Sequence, residues 1–289
     1  MTSSLAASLL LTAAILGAIY LLMALGLTLV YGVTRVFNFA QGSLYLWAGY
    51  IAFVLYNSFQ LNWGLVVAIT LGSMFGIGLL FERAIIYPLR RFADWRWSAV
   101  IITLGAALFL DSLALAFFGM SPKPLPRIIG GIFEYGAISL TRHDLVTFLT
   151  TVAMVILFNL FLGKARTGMA MTAVAQDPVG ANIVGIPINR MYGYSFGIAG
   201  LLAGISAVLL TPRLPLFPPM GWTVFVKAFT VLMLGGLGSI KGAVIAAFIL
   251  GIIEAFVTYQ LGAVWSLPVC LIILVIVLVF RPKGLFGVW

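Results

Sequence analysis

LAASLLLTAAILGAIYLLMALGLTLVY, residues 5–31, is a run of apolar and small side chains without a single charge. As a helix it would extend about 40 Å at 1.5 Å per residue, which is more than the roughly 30 Å thickness of a bilayer's hydrocarbon core. The run is longer than the apolar region of a cleaved signal peptide, and no basic segment precedes it. We therefore expect it to be retained as a membrane span.

The rest of the chain repeats this composition. Of its 289 residues, 63% are hydrophobic and only 8% are charged, whereas a soluble domain carries roughly a quarter charged residues. An open strand edge cannot exist in lipid, so these runs predict helices and an all-α polytopic membrane protein with one integral membrane domain, residues 1–289. The apolar runs lie at 5–31, 38–57, 63–81, 98–119, 144–163, 191–211, 222–237, 242–260 and 264–280.

The run 222–237 is short and ends within LGGLGS, residues 234–239. It is either a full span or a broken or re-entrant helix, because clustered glycines interrupt helices. We therefore predict eight or nine transmembrane helices.

Basic residues lie in the gaps between the apolar runs, so the net charge of +9 reflects membrane topology rather than nucleic-acid binding. Short cytoplasmic loops collect Lys and Arg, which predicts a cytoplasmic C-terminus, and an external N-terminus if every run crosses. The segments that we assign to the cytoplasm are 82–97, with Arg83, Arg90, Arg91 and Arg96; 164–190, with Lys164, Arg166 and Arg190; and the tail, with Arg281 and Lys283.

The sequence lacks the motifs of an enzyme. The nearest approaches to a triphosphate-binding loop, LGKART at 162–167 and GGLGSIKGA at 235–243, both miss the required Gly-Lys-Ser/Thr order. One histidine, His143, and one cysteine, Cys270, cannot supply a catalytic triad or a metal site. We predict no catalytic residue, no metal and no cofactor, and expect a transport protein.

Three ionisable residues fall inside apolar runs: Asp111, Lys227 and Glu254. Each costs roughly 2.5–3.5 kcal/mol at the centre of a bilayer on insertion scales, so each calls for a partner or a function. One interpretation is the lining of a polar pathway or a proton relay. The other, which we favour, is an internal ion pair that joins Lys227 to one of the acids.

YGVTRVFNFAQGS, residues 31–43, interrupts the apolar sequence with Asn38 and Gln41, followed by Gly42. Amide side chains can bond a substrate, or the unsatisfied backbone of a helix break, without the cost of a charge. The alternative is a short cytoplasmic turn in which Arg35 is the topology signal. FNFAQGSLYLWAG near residue 42 and GSIKGAVIAAFILG near residue 242 also suggest an internal repeat, although chance similarity in a glycine-rich chain would give the same likeness.

QDPVGANIVGI, residues 176–186, is a half-polar segment with the signals of a short helix. Asp177 fits the N-cap and Pro178 the first helical position, while Gly185 fits the position after the C-cap. The predicted helix, 178–184, is too short to be stable alone and must dock on a partner or on the protein's own spans. The segment 169–176 could form a further helical stretch before it.

RTGMAMTAVAQDPVGANIVGIPINRMY, residues 166–192, resembles the cytoplasmic coupling loop of permeases from bacterial ABC importers of the branched-chain amino acid type. Further similar segments follow in the family's order: 25–52, ERAIIYPLRR at 82–91, IITLGAALFL at 101–110, 234–254 and RPKGLFG at 281–287. The residues that the resemblance assigns to coupling with an ATPase are Arg166, Ala175, Gln176, Asp177, Pro178, Ala181, Gly185 and Ile186.

The resemblance implies a multi-pass permease subunit in a bacterial inner membrane. It implies four kinds of partner: a second, related permease, two cytosolic ATPase subunits, a periplasmic substrate-binding protein and membrane lipid. Substrate would pass between the two permeases, near Asn38, Gln41 and Gly42. ATP would be hydrolysed on the partner chains, which agrees with the missing triphosphate-binding loop.

The expected cargo is branched-chain or other hydrophobic amino acids. The same type of permease could instead carry urea, short amides or small organic acids, and binding measurements on the cognate periplasmic protein would separate these cargoes. A stand-alone ion-coupled carrier is the alternative from a different class; it would transport as a single chain in liposomes under an ion gradient, whereas an ABC permease would not.

Overall fold

The computed structural model describes residues 3–135, 138–281 and 283–287, and helices dominate these residues. Each of the nine apolar runs forms a helix, so the predicted helical membrane architecture is confirmed. In the first half the helices are α1 (Ser3–Thr34), α2 (Gln41–Asn57), α3 (Trp63–Phe81), α4 (Tyr87–Leu89), α5 (Trp95–Phe118) and α6 (Arg142–Lys164). In the second half they are α7 (Arg166–Gln176), α8 (Pro178–Ile183), α9 (Ile188–Leu210), α10 (Met220–Gly235), α11 (Ile240–Leu261) and α12 (Ser266–Phe280).

Two turns of other helical types extend the spans. A π-helical turn, Glu82–Ile86, joins α3 to α4, and a 3₁₀ turn, Ala263–Trp265, leads into α12. One short antiparallel hairpin, β1 (Ile132–Tyr135) with β2 (Ile138–Thr141), precedes α6. The hairpin was not predicted, because the gap 120–143 reads as an irregular loop in the sequence.

Seven helical segments of the described chain are long and apolar enough to cross a membrane. The remaining two apolar runs form α2, with 17 residues, and α10, with 16 residues, each about 25 Å long. α10 is continuous from Met220 to Gly235, and the chain breaks after it, where Gly236 has a φ of 103°. The glycine cluster therefore ends this helix rather than interrupting it.

The centre of the molecule is formed by α1 and α9, which are buried along most of their length, whereas α5, α6 and α12 leave most of their apolar surface exposed. The two central helices run antiparallel: Ser206 Oγ donates to Ile19 O at 3.3 Å, and Gly26 faces Ala199. Because α1 touches lipid so little, its apolar side chains serve packing within the protein.

The packing is nearly symmetric about this centre. α1 packs on α9, α10 and α11, while α9 packs on α1, α2 and α3, so exchanging α1 with α9, α2 with α10 and α3 with α11 gives the same helix pairs; α1 packs in addition on α6. α2 and α10 meet at the second residue of each, where a Cβ on Gly42 would lie 2.6 Å from Gly221 O and one on Gly221 would lie 2.8 Å from Gly42 O. The segments near 42 and 242 do not correspond in this packing, which relates α2 to α10 rather than to α11, so their likeness agrees with the alternative of chance similarity.

Candidate coupling and pathway site

The coupling segment, residues 177–187, begins with the predicted cap. The side chain of Asp177 accepts a hydrogen bond from Val179 N at 2.9 Å, and Pro178 occupies the first helical position. Helix α8 ends at Ile183, so it is one residue shorter than predicted, and Val184 is its C-cap. An aspartate cap of this kind contributes roughly 1 kcal/mol to a helix, which matters for one of less than two turns.

The end of α8 is a complete Schellman motif. Gly185 has a φ of 86°, its N–H donates to Asn182 O at 3.0 Å, and Ile186 N donates to Ala181 O at 2.9 Å. These two bonds satisfy carbonyls that would otherwise lack partners at a helix end. The side chain of Ile186 packs on the main core, so the segment is closed at both ends by local bonds and anchored after its end.

The two faces of α8 differ sharply. Ala181 is 5% exposed and faces the protein, whereas Val179, Ile183 and Val184 are 69%, 81% and 76% exposed. We call these three exposed side chains the coupling patch. A rigid helix that turns its apolar residues outward, with only an alanine inward, is typical of a surface that a partner covers.

The remaining predicted coupling residues lie on α7, which precedes α8. Arg166 is the first residue of α7 and is exposed, and Gln176 is its last residue and is also exposed. Gly168, Met171 and Val174 form the buried face of α7. A cavity of about 320 Å³ is lined by parts of α7, α1, α6 and the start of α11, and Ala175 lies on its wall. The eight predicted coupling residues thus lie on α7, on α8 and its N-cap, and in the turn after α8, at one end of the bundle.

Arg35 connects this stretch to the interruption between α1 and α2. Its Nη2 donates to Ala175 O at 3.1 Å, in the last turn of α7, where carbonyl groups have no partner within the helix. Arg35 has a φ of 58°, a left-handed conformation that costs a non-glycine residue roughly 1–2 kcal/mol. The sequence suggested only a topology signal here, since an arginine bonded to a backbone carbonyl leaves no pattern.

The helix break, residues 35–40, contains the predicted pathway residue Asn38 and is followed by Gln41 and Gly42. Asn38 Oδ1 accepts from Ala40 N at 3.1 Å, and Asn38 Nδ2 donates to Gln41 Oε1 at 3.3 Å. Gln41 Nε2 donates to Ala199 O of α9 at 2.9 Å. All three residues are buried in the conformation described, so the amides bond the protein itself, as expected for groups that satisfy a break.

Lys227 and Glu254 form the ion pair that we favoured, with 2.5 Å between Nζ and Oε1. Tyr20 Oη and Ser266 Oγ also donate to Glu254 Oε1, at 3.1 and 2.7 Å, so the carboxylate joins α1, α10, α11 and α12. The two hydroxyl donors were not predicted, since no sequence pattern connects them to Glu254. Asp111 lies apart from this group on α5, and its Oδ1 is buried without a hydrogen-bond partner in the described part of the chain.

The chain matches the family model described as branched-chain amino acid transport system / permease component over residues 9–279. The high-affinity branched-chain amino acid transport system permease protein BraD of Pseudomonas aeruginosa is 30% identical over 283 residues, covering 94% of this chain and 92% of that protein. The corresponding protein LivH of Escherichia coli K12 is 31% identical over 288 residues, with the same two coverages. The autoinducer 2 import system permease protein LsrC of Yersinia enterocolitica is 26% identical over 275 residues, covering 92% of this chain and 72% of that protein.

Among solved structures, PsaBC from Streptococcus pneumoniae in complex with Fab matches with a TM-score of 0.52 and 15% identity, covering 96% of this chain and 91% of that chain. This likeness concerns the fold alone. The helical fold, the family match and the two relatives at 30% identity or more agree with one another. This chain belongs to the family of permease components of branched-chain amino acid transport systems.

Proposed function

We propose that this chain is the membrane-spanning permease subunit of an ATP-driven importer that releases branched-chain or other hydrophobic amino acids into the cytoplasm. Family membership and the names of the relatives BraD and LivH support this cargo. The sequence has no triphosphate-binding loop, so the ATPase activity belongs to partner chains.

The observation that carries the coupling role is the exposed coupling patch on α8. Burying three aliphatic side chains of this size contributes roughly 1.5–3 kcal/mol for each one that becomes fully covered. α8 is also fixed in shape by its caps, so a partner that grips it moves it as a rigid element. We propose that an ATPase subunit covers the patch and that Arg166 and Gln176 lie at the edge of that contact.

A physical route leads from α8 to the spans. α8 follows α7 directly, and the Ala175 carbonyl of α7 is held by Arg35 at the helix break. Phe37 and Phe39 of the break pack on Phe229 of α10, with ring centroids 5.5 and 6.1 Å apart. The cavity beside α7 leaves room for α7 to shift. We propose that a displacement of α8 reaches α1, α2 and α10 through Arg35 and these rings.

We propose that substrate passes beside the helix break. In this structure Asn38 and Gln41 bond each other and Gln41 bonds α9, so both amides hold the shape of the break. Movement of the break would expose both amides, whose donors and acceptors fit the polar groups of an amino acid.

The proposed assembly contains this permease, a second related permease, two cytosolic ATPase subunits and a periplasmic substrate-binding protein, with membrane lipid around the spans. The proposed location is the bacterial inner membrane. The coupling segment and the C-terminus would then be cytoplasmic, which the clusters of Arg and Lys at 82–97, 164–190 and 281–283 support.

The experiment that tests the coupling role is Ile183→Asp in the coupling patch, compared with Val264→Asp. Both replace an exposed β-branched residue by an acid, and Val264, 87% exposed, lies at the α11–α12 turn. Co-purification of the ATPase subunits and ATP-dependent uptake in proteoliposomes are measured. We expect Ile183→Asp to lower both by roughly 30-fold, as for a central interface residue worth about 2 kcal/mol, and Val264→Asp to change neither.

The variant Asp177→Ala with Pro178→Gly keeps the patch but removes the start of the helix. It should weaken ATPase docking and separate ATP hydrolysis from uptake. Uptake at the level of the unaltered protein in both this variant and Ile183→Asp would disprove the coupling role. Binding measurements on the cognate periplasmic protein test the cargo separately, with branched-chain amino acids compared against autoinducer 2.

A further inference from the structure

Another cavity lies where α3 and α9 meet, at the same end of the bundle as the coupling segment, and polar side chains form much of its wall. It measures about 310 Å³ and lies between the π-helical turn and the start of α9. Its wall combines an apolar part with charged and hydrogen-bonding groups: Leu79, Glu82, Arg83, Asn189, Arg190 and Tyr194.

The negative charge of Glu82, the acid in this wall, is already balanced by an arginine of this chain. Glu82 is buried and paired with Arg90, and Arg90 Nη1 donates to Asn189 Oδ1 at 2.9 Å. The Arg90 guanidinium also lies 4.4 Å from the centroid of the Tyr192 ring. Burial lowers the pKa of Arg90 to about 10, so it stays charged at neutral pH and balances Glu82.

Two positive charges therefore remain at the cavity without a counter-ion. Arg83 and Arg190 are exposed, and neither forms an ion pair with any residue in the described ranges. The Arg83 guanidinium lies 4.2 Å from the centroid of the Tyr87 ring, a contact that limits its freedom. Paired guanidinium groups present planar sets of N–H donors that match the oxygens of a phosphate.

The surroundings of the cavity are those of a membrane surface. α3 exposes much of its apolar side, including Leu80, one turn from Arg83. Tyr87 and Tyr194, both partly exposed, lie beside the arginines. Tyrosine next to arginine at the end of an apolar helix is typical of the boundary between hydrocarbon and headgroups.

We propose that this cavity binds the phosphate headgroup of an anionic phospholipid, with Arg83 and Arg190 on the phosphate and an acyl chain along the exposed side of α3. Basic pockets between transmembrane helices bind such headgroups in other membrane proteins. A free phosphate ion would meet the same arginines but would gain nothing from the apolar surface at Leu79 and Leu80. Arg190 lies soon after the coupling segment, so the bound lipid would connect the start of α9 to the end of α3.

The test uses the full-length chain, purified and stripped of lipid, and measures binding of phosphatidylglycerol and phosphatidylcholine by native mass spectrometry. The variant Arg83→Gln with Arg190→Gln is compared with Arg91→Gln with Arg96→Gln. The control pair is exposed, lies in the same segment, 82–97, as Arg83 and removes the same charge. We expect the first variant to bind phosphatidylglycerol roughly 30-fold more weakly, since each of the two basic groups contributes about 1 kcal/mol, and the control, whose arginines do not line the cavity, to change little.

Arg83→Lys with Arg190→Lys keeps the charges and guards against a folding defect, and it should retain most of the binding. Equal losses in the two glutamine variants, or equal binding of both lipids by the unaltered chain, would overturn the proposal. Displacement of the lipid by millimolar inorganic phosphate would assign the cavity to a soluble anion instead. Unchanged lipid binding together with lost ATPase association in the Arg83/Arg190 variant would assign it to a protein contact.

Discussion

The helix break and the coupling segment interrupt the helices in opposite ways. At the break, polar side chains are buried and bond the protein itself, with Asn38 and Gln41 satisfied by each other, by Ala40 N and by Ala199 O. At the coupling segment, the apolar side chains of Val179, Ile183 and Val184 face outward. The polar groups of the break are therefore satisfied within this chain, whereas the coupling segment leaves apolar side chains uncovered, which we propose a partner covers.

Because of this difference, mutations in the two regions should affect different properties of the protein. A change at the break alters contacts inside one chain, so it should lower the stability of the isolated permease. A change in the coupling patch alters exposed side chains, so it should affect the stability of the isolated permease little. Stability of the purified chain and activity of the assembled transporter should therefore respond to different residues.

The largest expected effect on stability comes from Gly42→Val. Even a Cβ at this position would lie 2.6 Å from Gly221 O and 2.7 Å from Phe225 Cβ, so α2 and α10 must separate. We expect a loss of about 3 kcal/mol, measured as a lower thermal unfolding temperature in detergent. The matched control is Gly72→Val on α3, where nothing lies within 4 Å of the added Cβ. An equal loss at Gly72 would show that β-branched residues, rather than the α2–α10 crossing, cause the effect.

Gln41→Leu should have the next largest effect. It removes the acceptor of Asn38 Nδ2 and leaves that donor buried, which costs about 2 kcal/mol. Uptake by the assembled transporter should fall as well, because the break would lose its shape. Gln260→Leu, at an exposed position near the end of α11, is the control. Normal stability with reduced uptake in Gln41→Leu would instead indicate that Gln41 acts on the substrate directly.

The smallest expected effect on the stability of the isolated permease is that of Gly185→Ala, about 1 kcal/mol or less. An added Cβ would not clash, since nothing lies within 4 Å of it. The φ of 86° is unfavourable for alanine, however, by about 1 kcal/mol of conformational free energy. This strain loosens the end of α8, so ATP-dependent uptake should fall a few-fold while the unfolding temperature in detergent falls less than in Gln41→Leu. A shift of the unfolding temperature as large as that of Gln41→Leu would erase the distinction between the two regions.

Local signals explain why the coupling segment could be predicted almost to the residue. Asp177, Pro178 and Gly185 act through bonds to neighbours in sequence, so the pattern itself carries the geometry. The Lys227–Glu254 pair could be predicted from the cost of an isolated charge in lipid, but Tyr20 and Ser266 could not, because hydroxyl groups are common in spans.

The arrangement of the spans could not be predicted. A span with lipid on one side and protein on the other is apolar on both, so periodicity does not distinguish buried α1 from exposed α12. Contacts made by backbone carbonyls, such as that of Arg35 with Ala175, leave no trace in residue type either. Which helix lies at the centre became visible only from the structure.

The central position of α1 has a consequence for how the protein is made. α1 is synthesised first, yet α9, α10 and α11, three of the helices that surround it, begin only at Ile188. Until then α1 must remain in lipid without them, and its charge-free sequence permits this. Glu254 follows Lys227 by only 27 residues, and synthesis of these residues takes roughly 1–5 s at ordinary rates of translation. The uncharged Tyr20 hydroxyl enters the membrane more than two hundred residues before either charge. The two charges themselves follow each other within seconds, so neither remains long in the membrane without its partner.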